Sequence, residues 1–398
     1  MVTWMWVGFV LFVLAMLAID LGVFHRKAHA VGVREALIWS GVWITMALIF
    51  NVFIYFAYDG HWLGLGRAHD GSIATDIDGV RLEGHAAAIK FFTGYVIEKS
   101  LSVDNIFVMA LIFAYFRIPN MYQHRVLFWG ILGALVMRGL FIGLGAALIA
   151  KFHWILYLFG VFLVYTGIKM LTASEDPDPD KNPLIRLAHK YFPITTALHG
   201  QHFLVRRDAL PAGEMVDEAG EADDAAGGTP VPDRAAGTTM PAGQSTWVLT
   251  PLALTLIVVE GTDLVFAVDS IPAIFAITGD PFLVFTSNVF AILGLRALYF
   301  ALAGILDKFY YLKTALALVL SLVGVKMLVG DMLKQNEFFK DNLSFMTLGV
   351  IALLLFGGVI ASVVRARRRP LEPDVPPPPA DHPAAVLADA EAPAPGRQ

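Results

Sequence analysis

The sequence predicts an all-α, polytopic membrane protein, and three observations carry that expectation. Of 398 residues, 57% are hydrophobic and only 16% are charged. The mean hydropathy is +0.64. Apolar runs long enough to cross a bilayer, roughly 20 residues each, recur along the chain, and about nine can be counted.

The runs begin near Trp4, Val33, Ala87, Val126, Phe152, Trp247, Phe282, Leu312 and Phe345. The first lacks a basic lead and is followed by His25-Arg26-Lys27, so it reads as a retained anchor with an outward N-terminus. Lys and Arg concentrate in cytoplasmic loops, and their distribution agrees with that orientation. Arg26, Lys27 and Arg34 follow the first span, Arg117 and Arg125 the third, Lys308 and Lys313 the seventh, and Arg365, Arg367, Arg368 and Arg369 the ninth. The Asp59–Gly84 stretch, with Asp70, Asp76, Asp78 and Glu83, suits the outer face. The predicted location is therefore the inner (plasma) membrane, multi-pass, with a cytoplasmic C-terminus. A net charge of −5 gives no footprint for nucleic acid. Without cysteine the chain has neither a disulfide nor a thiolate metal site.

Two unit-opening runs carry nearly the same message, Glu98-Lys-Ser-Leu-Ser-Val-Asp104-Asn and Asp263-Leu-Val-Phe-Ala-Val-Asp269-Ser. Laid over one another, the third to fifth and the sixth to eighth spans also match Arg138 with Arg296, and Gly167-Ile-Lys-Met-Leu with Gly324-Val-Lys-Met-Leu. Three crossings per unit make this an inverted 3+3 repeat, a plan common in transporters. The chain divides accordingly. Residues 1–86 hold two N-terminal spans and an outer loop, 87–171 the first repeat, and 172–245 a cytoplasmic linker, polar and irregular. The second repeat spans 246–330, the last helix 331–369, and a Pro-rich tail 370–398. The linker's Leu184–Arg207 piece reads as a surface-lying helix or plain loop. Its acids near Asp217 to Asp224 read as a solvated linker rather than a metal site.

An ionised carboxylate at bilayer depth costs about 3 kcal/mol even on lenient scales, so grouped acids require a counter-charge, a cavity or a bound cation. Gly94 in one acidic run, and Pro251, Gly261 and Pro272 in the other, predict interrupted helices with freed carbonyls. An unbroken helix would set Glu98 and Asp104 about 9 Å apart along its axis, so the site requires both runs. The candidate metal ligands are Glu98, Asp104, Asn105, Asp263, Asp269 and Ser270, with Asp20, Ser102, Glu260, Arg138 and Arg296 in support. An oxygen set of this kind suits magnesium, calcium or manganese. The rival reading is a structural network, since Lys99, Arg138, Lys169, Arg296 and Lys326 match in number the five acids of the two runs, Glu98, Asp104, Glu260, Asp263 and Asp269. His25 and His29, beside Asp20, are weak candidates for a cytoplasmic mouth.

At these residues the chain resembles the TerC family of integral membrane proteins. The resemblance rests on Ala18-Ile-Asp-Leu-Gly-Val-Phe-His25, on Glu98 to Asn105, on Phe266-Ala-Val-Asp-Ser-Ile-Pro-Ala-Ile-Phe-Ala-Ile-Thr278, and on Thr286-Ser-Asn-Val-Phe-Ala-Ile-Leu-Gly-Leu-Arg296. It covers nearly all of the membrane portion. It implies divalent-metal handling, chiefly export of manganese(II), with the two acidic motifs as the metal site. Tellurite-resistance oxyanion handling, with Arg138 and Arg296 as anion ligands, is one alternative. A scaffold that supplies metal to other proteins, or docks cytoplasmic partners through the linker and tail, is another. No Gly-Lys-Ser/Thr phosphate loop appears, and no nucleophile and base stand at a recognisable spacing. Neither a pump driven by ATP, nor an enzyme, nor a resident cofactor is expected.

Overall fold

In the computed structural model, residues 2–19, 32–68, 70–152, 154–172, 187, 192–195, 198–207, 210, 216–217, 247–302, 311–333 and 337–368 are described. Asp20, His25, His29, Leu184, Tyr191, the acids from 218 to 224 and the tail lie outside them. The chain is predominantly helical. In order come α1 (Val2–Ile19), α2 (Val33–Asp59), α3 (Gly84–Tyr115), α4 (Asn120–Lys151), α5 (Ile155–Thr172), α6 (Pro251–Phe275), α7 (Pro281–Leu293), α8 (Leu295–Leu302), α9 (Leu312–Leu333) and α10 (Glu337–Arg368).

Six of these helices are long and apolar enough to cross a membrane, and a seventh span results if α7 and α8, bent by 41° at their junction, count as one. The shorter α1 is apolar, and α3 has the length but carries Lys90, Glu98, Lys99 and Asp104. Their outer faces present bare Val136, Leu140, Val161, Leu353 and Phe356, side chains that lipid covers at no cost.

Local chemistry fixes several ends. Thr250 caps α6 by accepting from Ala253 N, with Pro251 in the first turn. Asp280 caps α7 by accepting from Phe282 N and Leu283 N, followed by Pro281. Both follow the preference for a short polar cap and then a proline that has no amide to lose. Contrary to expectation, neither acidic run is broken. α3 is one helix of 32 residues, and α6 continues through Pro272, which stands in its final turn, where losing one amide donor disturbs little. The interruption falls between α7 and α8, at Gly294.

Packing then sets the helices. α5 lies along α9 with glycines at the crossing: a Cβ on Gly324 would meet Gly160 O at 2.8 Å, and one on Gly167 would meet Ala317 O at 2.7 Å. Small residues allow such backbone approach where no hydrophobic effect drives helices together. Phe9, Phe50, Phe91, Phe282, Phe285 and Phe290 interlock, joining α1, α2, α3 and α7.

The 60–83 connection is clamped from inside. Asp76 accepts from Lys90 Nζ at 2.6 Å, Thr278 Oγ1 at 2.6 Å and Gly279 N at 2.7 Å. Asp78 accepts from Lys90 Nζ at 2.7 Å. A side chain at Gly279 would strike Ile77 at 2.6 Å, so the turn between α6 and α7 needs glycine to sit this close.

The linker, expected to be irregular, contributes strands. A small sheet, ordered β2-β4-β1-β3, is built from β1 (Ile194–Thr195), β2 (Leu204–Arg206), β3 (Val216–Asp217) and β4 (Trp247–Leu249). Segments this short carry no readable alternation, so pairing specifies them. The sheet meets the helices through Thr250 Oγ1, which donates to His202 O at 2.8 Å. Arg125, whose Nη1 donates to Gln201 Oε1 at 2.9 Å and whose guanidinium lies over the Phe203 ring, provides a second contact.

Candidate metal centre

Arg138 projects from the middle of α4 into the centre of the bundle and meets side chains from three other helices. Its Nη2 and Nε donate to the Asp263 carboxylate of α6 at 3.0 and 3.3 Å. Its Nη1 donates to Glu98 Oε1 of α3 and, at 3.3 Å, to Asn288 Oδ1 of α7. Glu98 and Asn288 are 0% exposed, Arg138 2% and Asp263 5%, so water does not compensate them.

The group does not balance. One guanidinium faces two carboxylates, which leaves a formal charge of −1. Among the described residues Glu98 Oε2 and Asn288 Nδ2 have no hydrogen-bond partner. Buried polar atoms are ordinarily satisfied, and an exception calls for an explanation. A structural ion pair would tend toward neutrality, because taking charge out of water costs several kcal/mol per ion.

Beside this group a pocket opens between α3, α4, α6 and α8, lined by Met109, Leu127, Ile131, Glu260, Asp263 and Arg296 among others. Glu260 and Asp263, three residues apart, share one face of α6. The Glu260 carboxylate occupies the space that a side chain at Gly133 would fill. Arg296 Nη1 lies 3.1 Å from His124 Nε2, which identifies its near neighbour as an imidazole.

The other expected ligands are placed apart. Because α3 and α6 are continuous, Asp104-Asn105 and Asp269-Ser270 stand about 9 Å along their helices from Glu98 and Asp263. Asp269 accepts from Thr166 Oγ1 of α5 at 3.3 Å. Asn105, Ser102 and Ser270 are buried; Ser102 Oγ donates to its own helix at Glu98 O, and Ser270 Oγ has no partner among the described residues. Among the described residues no three His, Cys, Asp or Glu side chains converge enough to hold one metal ion. Asp20 is outside the described set.

Lys99 Nζ donates to Ala291 O at 3.1 Å and abuts Gly294, where the α7–α8 bend leaves carbonyls short of intrahelical donors. Asn288 stands outside the ligand set that the sequence predicts. Its signals in the chain are the polar Thr286-Ser-Asn288 step inside an apolar run and its place in the motif that ends at Arg296.

The sequence pattern described as the Integral membrane protein TerC family matches residues 83–370, a stretch that includes every member of the Arg138 group. The chain belongs to the TerC family. Its TerC relatives include an Uncharacterized membrane protein, STKORF319, of Myxococcus xanthus, 42% identical over 367 residues that cover 92% of this chain and 94% of the relative. The protein provisionally named membrane-bound redox modulator Alx in Escherichia coli (strain K12) is 42% identical over 330 residues, 82% of this chain and 86% of Alx. An Uncharacterized membrane protein of Rickettsia bellii is 35% identical over 361 residues, 90% of this chain and 97% of the relative. No solved structure matches. Membership makes the chain an integral, multi-pass membrane protein, and none of these names is that of an enzyme.

Proposed function

We propose that this TerC protein is a membrane transporter that exports a divalent metal ion, manganese(II) above others, through the Glu98–Asp263 carboxylate pair. The observation that carries the reading is the surplus negative charge around Arg138, together with the unpartnered Glu98 Oε2. A centre built to attract a cation keeps such a surplus; a centre built only for strength gains nothing from it.

In this reading the guanidinium occupies the cargo's position in the resting state. An arriving dication takes its place between the carboxylates and releases Arg138. The all-oxygen surroundings favour a hard ion over copper or zinc. Refilling by Arg138, or by protons, neutralises the carboxylates for the return step. Glu260, in the pocket beside Asp263, lines the approach.

The inverted 3+3 repeat belongs to the same reading, and the helix packing supports it. Exchanging α3, α4 and α5 for α6, α7–α8 and α9 turns the α3–α7 contact into the α6–α4 contact, and both are extensive. The Gly160–Gly324 approach becomes the Ala317–Gly167 approach, and both are close. The remaining spans, an outward N-terminus and a cytoplasmic C-terminus in the plasma membrane complete the reading.

Oxyanion handling fits less well, because Arg138 already carries carboxylates where tellurite would bind. Alx is named for redox modulation, yet this chain has no cysteine and so no thiol of its own to exchange. The scaffold reading turns on the linker and tail. Cells lacking the protein should accumulate manganese and become sensitive to it, and Glu98→Gln or Asp263→Asn should fail to rescue them. Replacing residues 220–244 with a short Gly-Ser connector, and removing 372–398, should leave export intact. Normal manganese content in the null cells sinks the transport reading, and loss of function on those deletions alone favours the scaffold.

A further inference from the structure

We propose that Asn288 is a cargo ligand whose side-chain oxygen, with Glu98 and Asp263, forms the coordination shell of the transported ion. The inference rests on the transport reading above and names a specificity-determining residue within it.

The argument starts with orientation. A guanidinium only donates hydrogen bonds, so the Asn288 atom 3.3 Å from Arg138 Nη1 is the oxygen. Its amide nitrogen is thereby turned away, fully buried and without a partner among the described residues. An asparagine kept only for packing or helix contact would be expected to satisfy its two amide hydrogens somewhere, because a buried unpaired donor is costly. Here the arrangement instead aims the acceptor at the cation.

The second step concerns the cation's surroundings. Around the guanidinium are Glu98 Oε1, both Asp263 oxygens and Asn288 Oδ1, from α3, α6 and α7. Glu98 Oε2 is buried and unused. Remove the guanidinium and the same atoms surround a void with carboxylate and amide oxygens, the donor chemistry of hard dications. An amide oxygen contributes no charge. It raises ligand number without deepening the electrostatic trap, which leaves the ion able to depart.

Position adds a third point. Asn288 lies in α7, between the Asp280 cap and the bend at Gly294. A shift of this short helix would withdraw one ligand while α3 and α6 keep the other two.

The test uses purified full-length protein in lipid nanodiscs, titrated with manganese(II) alone. It compares wild type with Glu98→Gln, Asn288→Leu and Asn288→Asp, each with Arg138 intact and in an Arg138→Met background. Asn288→Leu should weaken binding by about tenfold or more in both backgrounds, on the scale at which partners of a metal site act. Asn288→Asp should tighten it. If Asn288→Leu does not fold, the Asp variant decides alone, and unchanged affinity there overturns the proposal. An effect of Asn288→Leu that disappears without Arg138 also overturns it, because Asn288 would then act only by holding the arginine. Wild type that fails to bind manganese overturns the transport reading as well; binding that Glu98→Gln abolishes and Asn288 variants leave untouched overturns this proposal alone.

Discussion

Gly160 and Gly324 meet backbone to backbone, so a Cβ on Gly324 would lie 2.8 Å from the Gly160 carbonyl oxygen. Neither helix has slack there, since Val164 N would stand 2.9 Å from the same Cβ. Gly324→Val should therefore destabilise the protein by about 1–3 kcal/mol, the usual cost of overpacking. Gly143→Ala, where nothing lies within 4 Å, should be neutral or stabilising. Thermal unfolding in detergent compares the two, and equal melting temperatures would refute the tight crossing.

Arg138 should be costly to remove alone and cheap to remove with its partners. Arg138→Met strands two buried carboxylates, an expected loss of about 3–5 kcal/mol. Adding Glu98→Gln and Asp263→Asn should recover most of that loss. A triple variant no more stable than Arg138→Met would show that the guanidinium's packing, rather than its charge, matters.

The 60–83 connection should have an acid optimum. Burial alone raises the Asp78 carboxyl, but the Lys90 ammonium, its hydrogen bond and the charge of Lys326 outweigh burial and leave it below the ordinary value. A lowered folded pKa contributes stability above the unfolded pKa, lost as pH falls through the folded one. Asp280 is displaced upward, chiefly by burial and further by Asp76, against the hydrogen bonds it accepts from Leu283 and Phe282. Its contribution is whole below the unfolded pKa and is lost as pH rises through the folded one. Local protection should therefore peak near the ordinary aspartate value, about 4. Hydrogen exchange of residues 60–83 measures it. Asp78→Asn should remove the decline on the acid side and Asp280→Asn the decline on the alkaline side; a profile unchanged by both would contradict the assignment.

Thr250 joins two structures through one hydroxyl. It accepts from Ala253 N at 3.4 Å and donates to His202 O at 2.8 Å. Thr250→Val should cost about 0.5–2 kcal/mol, as lost caps do. It should also speed proteolysis between residues 192 and 207, where Thr250→Ser should not. Identical cleavage rates would separate the cap from the sheet.

Much of this was legible in the chain. The helices lie where the apolar runs lie, and Glu98 with Asp263 could be paired because buried acids are too costly to be incidental. Arg138 was visible as a mid-span counter-charge. That a single arginine serves both acids was not, because sequence matching pairs it with Arg296, whose neighbour is His124 instead. Pro272 drew attention to the wrong helix. A proline disturbs little near a helix end, whereas Gly294 lies between two helices that pack in different directions. The 60–83 clamp was hidden because Asp76 reaches a turn some 200 positions away, at Thr278 and Gly279, and tertiary pairs of that kind leave no local pattern. The small sheet was missed because its two- and three-residue strands have no period to detect.

Arg206 and Trp247 are cross-strand partners, in register with Val205–Val248 and Leu204–Leu249. The chain thus departs from and comes back to one spot, and whatever is spliced between those ends exerts no pull on the helices. Each doubling of such a loop costs only about 0.6 kcal/mol in closure entropy. Asp217 is held in the same sheet by Ile194 of β1, so the stretch between Asp217 and Trp247 starts and ends on one small sheet and is a natural place to graft a fluorescent reporter or an affinity handle while the membrane part keeps its shape.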